Sequence, residues 1–380
     1  NLQSTDPACV QAGNERVVLP RLADAEFFFD QDAKTKLEER QAALANVVYQ
    51  KGLGSLRDKS ARVGELAAAI APLVAANADD VARAAALART DLLTDMVGEF
   101  PNLQGRMGYY YATHDGEADA VAVAIEEQYL PRQAGDRLPA TPAGQALSLA
   151  DRLDTLAGVF CLGKKPSGNK DPFSLRRQAL GLVRILVESD IDADLPALLD
   201  QAVALQPAQA EGDVAAELYD FITDRMRAYY LDGLAPGFAK GDITAEIFEA
   251  VRRRRPASPL DFRQRLAAVY NFSQLDAAES LAAANKRIAN ILKKAASNGA
   301  ATIDTGLFDA DEESRLNAAV AALLPEHEAD LASRNYEAAL TRLAGLRESV
   351  DGYFDEVMVM ADDAKVRDTR LAQLGQLRNL

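Results

Sequence analysis

Tryptophan is absent from this sequence, and cysteine and histidine occur only twice each, as Cys9, Cys161, His114 and His327. Two cysteines cannot build a disulfide framework, which fits a reducing compartment and sets the expectation of a cytoplasmic protein. Two histidines and two cysteines form no cluster with zinc-ligand spacing. No nucleophile-elbow pattern accompanies either histidine, so a Ser-His-Asp hydrolase has no sequence support. The longest apolar run, residues 66–76, is interrupted by Pro72 and is too short to span a bilayer. No secretory signal is visible at the N-terminus. Positive charge is also in deficit, with a formal net charge of −15. Such acidity repels DNA and RNA at long range, so any nucleic-acid contact has to be made by local basic patches.

What is present is helical. Alanine and leucine are abundant, aromatic residues make up 6%, and strand-like runs of Val, Ile, Thr and Tyr are hard to find. A chain of 380 residues exceeds one small core, and two all-α domains are the natural expectation. Residues 1–34 show no complete helix or hairpin before Pro20 and read as a connector, with Phe27, Phe28 and Phe29 anchoring in a neighbouring core. Helical periodicity then covers an early segment carrying Leu37, Ala42, Leu44 and Val48. It continues over 60–74, over 79–93 with Asn77 or Asp79 as cap, around Tyr109 to Tyr111, and over 146–160. A glycine-rich boundary lies at 231–242. Beyond it, helices are predicted over 244–254, 260–270, 276–296, 312–324 and 336–360, with 298–305 as a loop. Nothing repeats at a fixed long period, so a bundle is expected rather than a solenoid.

Three concentrations of positive charge stand out. The stretch from Gly163 to Gly181 combines a loop punctuated by Gly163, Pro166 and Gly168 with an Asp171-Pro172 helix start. Residues 164–184 hold six Lys/Arg, among them Lys164, Lys165, Lys170, Arg176 and Arg177, against Asp171 alone. Its glycine spacing imitates a phosphate-binding loop, but Asn169 stands where the loop lysine belongs and no strand precedes it, so nucleotide binding of that type is excluded. The second patch opens with Arg252, Arg253, Arg254 and Arg255 and has Tyr270 nearby. The third is Lys286 and Arg287 on a helix. A solvated surface is the plain reading of any one patch; three in an acidic chain favour phosphate contacts, for which the planar arginine fork is suited.

The acidic pairs Asp91/Asp95 and Asp151/Asp154 are placed four and three apart on helix faces. The segments Ala86-Leu-Ala-Arg-Thr-Asp91 and Ala150-Asp-Arg-Leu-Asp-Thr-Leu156 resemble two pieces of the HD phosphohydrolase fold. That resemblance aligns Asp91 with the aspartate of the His-Asp pair and Asp151 with the later aspartate. Thr90 replaces the paired histidine, Lys59 or Ser60 stands at the first histidine, and His114-Asp115 lies on the wrong segment. Without imidazole ligands the metal site is degenerate, so no metal and no catalytic residue is expected.

Motifs along the whole chain resemble the beta-subunit family of bacterial heterotetrameric glycyl-tRNA synthetases. They are Gly13-Asn-Glu-Arg-Val, Pro20-Arg-Leu-Ala-Asp-Ala-Glu-Phe-Phe28, Gly54-Ser-Leu-Arg-Asp-Lys59, Gly108-Tyr-Tyr-Tyr-Ala and His114-Asp-Gly-Glu117. Then follow Asp171-Pro-Phe-Ser-Leu-Arg-Arg177, Ala283-Ala-Asn-Lys-Arg-Ile288 and Tyr353-Phe-Asp-Glu-Val-Met-Val-Met360. The resemblance implies the C-terminal part of a longer subunit, with an N-terminal region missing and the terminal helix cut short after Leu380. It implies a connector (1–34), an HD-like helical domain (35–232) and an anticodon-binding helical bundle (233–380) similar to that of arginyl-tRNA synthetases. Phe354, Val357, Met358, Arg370 and Leu371 echo the closing helices of that bundle. The implied partners are an alpha subunit, which holds ATP and magnesium and performs the chemistry, and tRNA-Gly, with no DNA and no membrane. The chain itself would then be non-catalytic and cofactor-free. Candidate tRNA contacts are the residues of the three basic patches, with the 163–177 loop serving either the tRNA stem or the alpha subunit. The readings left open are an HD-type metal-dependent phosphohydrolase and a helical assembly scaffold without RNA contact.

Overall fold

The structure is a computed structural model, described here for residues 6–208, 212–295 and 302–380. It is almost entirely helical; the one sheet among the described residues is a two-stranded hairpin, Val48–Gln50 with Gly54–Ser55. The Cα packing divides the chain into two compact units, one running to Tyr230 with residues 257–260, the other comprising 231–256 and 261–380.

The first unit is organised around the helix Pro142–Cys161. Thr141 caps it, its hydroxyl accepting from the Gly144 amide, and Pro142 occupies the first turn where its missing N–H costs nothing. Sixteen of its twenty residues are buried, so it is a central post rather than a surface helix. The helices Leu56–Ile70, Ala78–Leu87, Asp119–Glu127, Leu175–Glu188 and Leu195–Ala204 pack around it. Leu147, Ala150, Leu153, Leu156 and Ala157 fill the contact.

Several local expectations are revised. The anticipated connector is one helix, Pro7–Asp32, capped by Asp6 and running through Pro20. Phe27 is exposed, while Phe29 stacks on Tyr111 at 5.4 Å and the buried Asp32 accepts from the Met96 amide and the Tyr111 hydroxyl. The early helix from Leu37 stops at Arg40, tightens into a 3₁₀ turn, Gln41–Asn46, and gives way to the hairpin. The helix starting at Ala78, capped by Asn77, ends at Leu87 because Arg89 takes a left-handed backbone (φ 70°). Asp91 therefore lies in a 3₁₀ turn and Asp95 opens the next helix, so the two do not share one helix face. The helix after Asp171-Pro172 begins only at Leu175. Ser174 is left-handed (φ 55°), and Asp171 reaches forward to accept from the Leu175 and Arg176 amides.

The second unit is a bundle of Ala245–Arg252, Pro259–Ser273 from Asp261 onward, Ala278–Lys294, Asp311–Ala332, Tyr336–Ala344, Arg347–Glu356 and Ala364–Asn379. The predicted helix over 336–360 is two helices broken at Gly345-Leu346, with an extended segment from Val357. Ile288, Leu292, Leu316, Val320, Val350, Tyr353, Leu371 and Leu374 form its core. Arg370 locks the end of the bundle, donating to the buried Glu313, to Asp309 and to the Met358 carbonyl. Part of the predicted loop at 298–305 falls outside the described residues.

Candidate nucleic-acid interface and a buried ion-pair centre

The degenerate metal position is filled by protein cations. Lys59, on the inner face of Leu56–Ile70, places its ammonium 3.0 Å from Asp151 Oδ1 and 2.9 Å from Asp154 Oδ2. Arg62, one turn further, donates to Asp154 at 2.6 Å, and Arg89 pairs with Asp151. The left-handed backbone at Arg89 helps carry its side chain inward, a local strain of the kind that buried polar sites retain. Burial alone would push the Lys59 ammonium down, but Asp151 and Asp154 outweigh it and hold the group above its usual value. Burial likewise would raise both carboxylates. Arg89 and Lys59 pull Asp151 far below the ordinary range, and Lys59 and Arg62 hold Asp154 below it.

The other two degenerate positions are engaged elsewhere. The buried Thr90 hydroxyl donates to the Leu87 carbonyl at 2.6 Å. Asp91 Oδ2 accepts from the Gly105 amide; burial pushes this carboxyl up, and the Gly105 and Gly108 amides only partly offset that. Gly108 is required there, since a Cβ would sit 2.6 Å from Ile125. Lys59 and Asp151 thus converge; Asp91 braces the neighbouring loop while also feeling Arg89, and Tyr129 feels both Asp91 and Asp151. A divalent cation does not fit this donor set, because the two aspartates already face an ammonium and two guanidinium groups and no imidazole is present. Among the described residues no group of three His, Cys, Asp or Glu side chains is arranged to hold a metal.

The basic loop forms one exposed surface of the first unit. Lys164 lies over the Phe173 ring at 5.7 Å, and Lys165 pairs with Glu217. Lys170 closes a small turn with Ser167, and Arg176 donates to the Gly168 carbonyl at 2.6 Å. Arg177 is exposed and makes no side-chain hydrogen bond or ion pair among the described residues.

In the second unit the arginine run wraps a helix end. Arg252 closes Ala245–Arg252 and lies 3.5 Å from Glu249; Arg253, Arg254 and Arg255 turn away after it, Arg255 with a left-handed backbone. Cations at a helix C-terminus complement its dipole, so part of this run serves local structure. Tyr270 meets Phe238 edge-on at 6.4 Å, and Asp242, which it bonds, raises its hydroxyl. Lys286 and Arg287 lie on the exposed side of Ala278–Lys294, where Asn290 and Lys294 continue a shallow groove and Arg287 sits 4.3 Å over the Phe354 ring. That strip, cationic and backed by an aromatic, is the arrangement that unstacked bases and phosphates both use.

Comparison with known proteins shows the family. Residues 1–245 match the family model for the glycyl-tRNA synthetase beta subunit, and residues 281–380 match the DALR anticodon binding domain. Curated glycine–tRNA ligase beta subunits from Ectopseudomonas mendocina, Chromohalobacter salexigens and Pseudoalteromonas translucida are 49%, 48% and 47% identical to it. In each case 100% of this chain aligns with 54% of the relative, so the chain spans about half the length of the curated relatives it matches. The chain belongs to the glycyl-tRNA synthetase beta subunit family.

Proposed function

We propose that this chain is a tRNA-holding part of a glycine–tRNA ligase beta subunit. Its second unit takes the anticodon arm, and glycine activation and transfer occur on an alpha subunit with its own ATP and magnesium. The observation that carries this reading is the coincidence of the anticodon-binding match at 281–380 with the Lys286–Arg287 strip over Phe354. In a chain of net charge −15, such a strip concentrates the positive charge needed to draw phosphates in, and anticodon bases are unstacked and available to lie on an arginine or aromatic face. The setting is cytoplasmic, with neither DNA nor membrane as partner; among the described residues no helix is long and apolar enough to cross a membrane.

The first unit contributes the loop carrying Lys164, Lys165, Lys170, Arg176 and Arg177, against either stem phosphates or the alpha subunit. Reversing Arg176 and Arg177 to Glu separates the two: weaker tRNA binding with a shallower salt dependence assigns the loop to phosphates, and failed subunit assembly with unchanged tRNA affinity assigns it to docking. Against the phosphohydrolase alternative stands Lys59, whose ammonium pairs with Asp151, one of the two aspartates that the HD resemblance aligns with metal ligands. The test of the main reading is charge reversal at Lys286 and Arg287, far from the Lys59 centre in sequence. Affinity for tRNA-Gly should fall, and the log–log salt slope should shrink by about 1 for each phosphate that is no longer neutralised. Unchanged affinity and slope would remove the anticodon-arm assignment.

A further inference from the structure

Beside the buried ion-pair centre lies a cleft of about 370 Å³, wholly within the first unit, lined by Tyr129, Arg132, Asp151, Arg152, Phe173 and Arg177 among others. Its charge is unusual for so acidic a chain. Arg132 spends its guanidinium on the Asn102 and Gln104 carbonyls, and Arg152 on Gln178 and the Pro131 carbonyl, so neither is paired with a carboxylate. Arg177 has no side-chain partner among the described residues. The one carboxylate in the lining, Asp151, is already neutralised by Lys59 and Arg89. Three arginines therefore face the cleft without a bonded carboxylate, and burial pushes Arg152 down to about 10, with Asp151 only partly offsetting it.

The lining also holds unmet hydrogen-bonding capacity. Gln128 and Arg152 are 1% and 3% exposed, yet Gln128 Oε1 and Arg152 Nε have no partner, nor does the Tyr129 hydroxyl. Buried polar atoms are nearly always paired, so three on one cleft wall call for a polar ligand or its hydration. Phe173, Pro131 and Pro172 add flat apolar surface, and Gln104 and Gln178 add amide groups. The volume is at the lower end for small-molecule sites and matches a single nucleotide.

We propose that this cleft binds one nucleotide, its phosphate held by Arg132 and Arg177 at the mouth and its base laid against Phe173 and the amide-bearing wall. No bond is made or broken: the ammonium at Asp151 leaves binding without hydrolysis. The site is separate from the anticodon-arm strip, and the proposal does not depend on that strip's role. The ligand is either a free nucleoside monophosphate or one nucleotide of an RNA strand.

The experiment titrates the chain with adenosine monophosphate, inorganic phosphate and a single-stranded RNA trinucleotide by calorimetry, in wild type, Arg177→Ala and Arg315→Ala, an exposed arginine of the other unit. Saturable binding of the monophosphate, weakened about tenfold by Arg177→Ala and untouched by Arg315→Ala, supports the site with a free nucleotide as its source. Binding of the trinucleotide alone, with the same dependence on Arg177, supports it with RNA as the source. Absence of saturable binding by both nucleotide probes at millimolar concentration, or affinity indifferent to Arg177→Ala, overturns it. Failure at Lys286 and Arg287 in the tRNA assay leaves this result unaffected, so the two readings fail separately.

Discussion

The Lys59 ammonium lies 2.9 Å from Asp154 Oδ2 and 3.0 Å from Asp151 Oδ1, joining the helix Leu56–Ile70 to the central helix Pro142–Cys161 through a contact in which Lys59 and Asp154 are buried and Asp151 is partly buried. A positive side chain, at or beside the position of the missing first histidine, pairs with Asp151, an aspartate the resemblance aligns with a metal ligand, and with its neighbour Asp154, forming a structural clasp. Replacing Lys59 by Met leaves Asp154 to Arg62 and Gln206, and Asp151 to Arg89. Breaking a buried pair from one side typically costs about 3–5 kcal/mol, and the remaining arginines place this case near the lower end. Hydrogen exchange along Leu56–Ile70, with urea unfolding of the first unit, measures it; unchanged protection in Lys59→Met would contradict the clasp.

The same groups set a pH profile. Asp151 and Asp154 are held below the ordinary carboxylate value, so their stabilisation is present above about pH 4 and is lost as pH falls through their depressed values. Lys59 is held above its ordinary value, so its contribution is complete below about pH 10 and is lost only as pH rises beyond that. Asp91 behaves oppositely: burial raises it, the folded state keeps a proton that the unfolded state gives up, and stability falls as pH climbs from about 4 through the raised value. Asp91→Asn should remove that fall while leaving the acid limb. Urea midpoints measured against pH report both, and identical profiles in wild type and Asp91→Asn would refute the assignment.

How far the sequence reveals this differs from feature to feature. The central helix is legible over 146–160 because its apolar residues repeat at helical spacing there, although it extends from Pro142 to Cys161. Asp151 is legible as a site residue through its position three before Asp154. Arg62 and Arg89 do not stand out, although for Arg62 a signal exists: Lys59/Arg62 and Asp151/Asp154 are two i, i+3 pairs of opposite sign, each set among buried apolar residues, which places them face to face once the helices pack. Arg89 is hidden because its role depends on a left-handed backbone that ends a helix whose periodicity continues on paper to Leu93. Residues 7–32 mislead in the other direction. Pro20 and the exposed Val17, Val18, Leu19 and Leu22 blur any amphipathic stripe, so periodicity does not declare a helix. Asp171-Pro172 signals a carboxylate that satisfies helix-start amides but misplaces the start: the N-cap is Ser174, and Asp171 reaches the Leu175 and Arg176 amides a turn ahead of the proline.

Gly181 makes a second clasp possible. It sits inside Leu175–Glu188, where glycine ordinarily weakens a helix, and a Cβ there would lie 2.9 Å from the Arg152 guanidinium. Gly181→Ala gains helix propensity yet has to displace a buried arginine bonded to Gln178 and Pro131. Overpacking of this kind costs about 1–3 kcal/mol, more than the roughly 1 kcal/mol of propensity gained, so a net loss of stability is expected. A stabilised Gly181→Ala variant by thermal unfolding would show that Arg152 is not fixed against that helix.

The proposed hold on tRNA by its anticodon arm is tested most directly by equilibrium binding of tRNA-Gly and of a transcript altered only in the anticodon, at one fixed salt concentration. The account predicts a measurable complex with tRNA-Gly and weaker binding of the altered transcript, by about 1–3 kcal/mol for each base that is no longer stacked or read. Equal affinity for the two transcripts, or retention of neither, would contradict it.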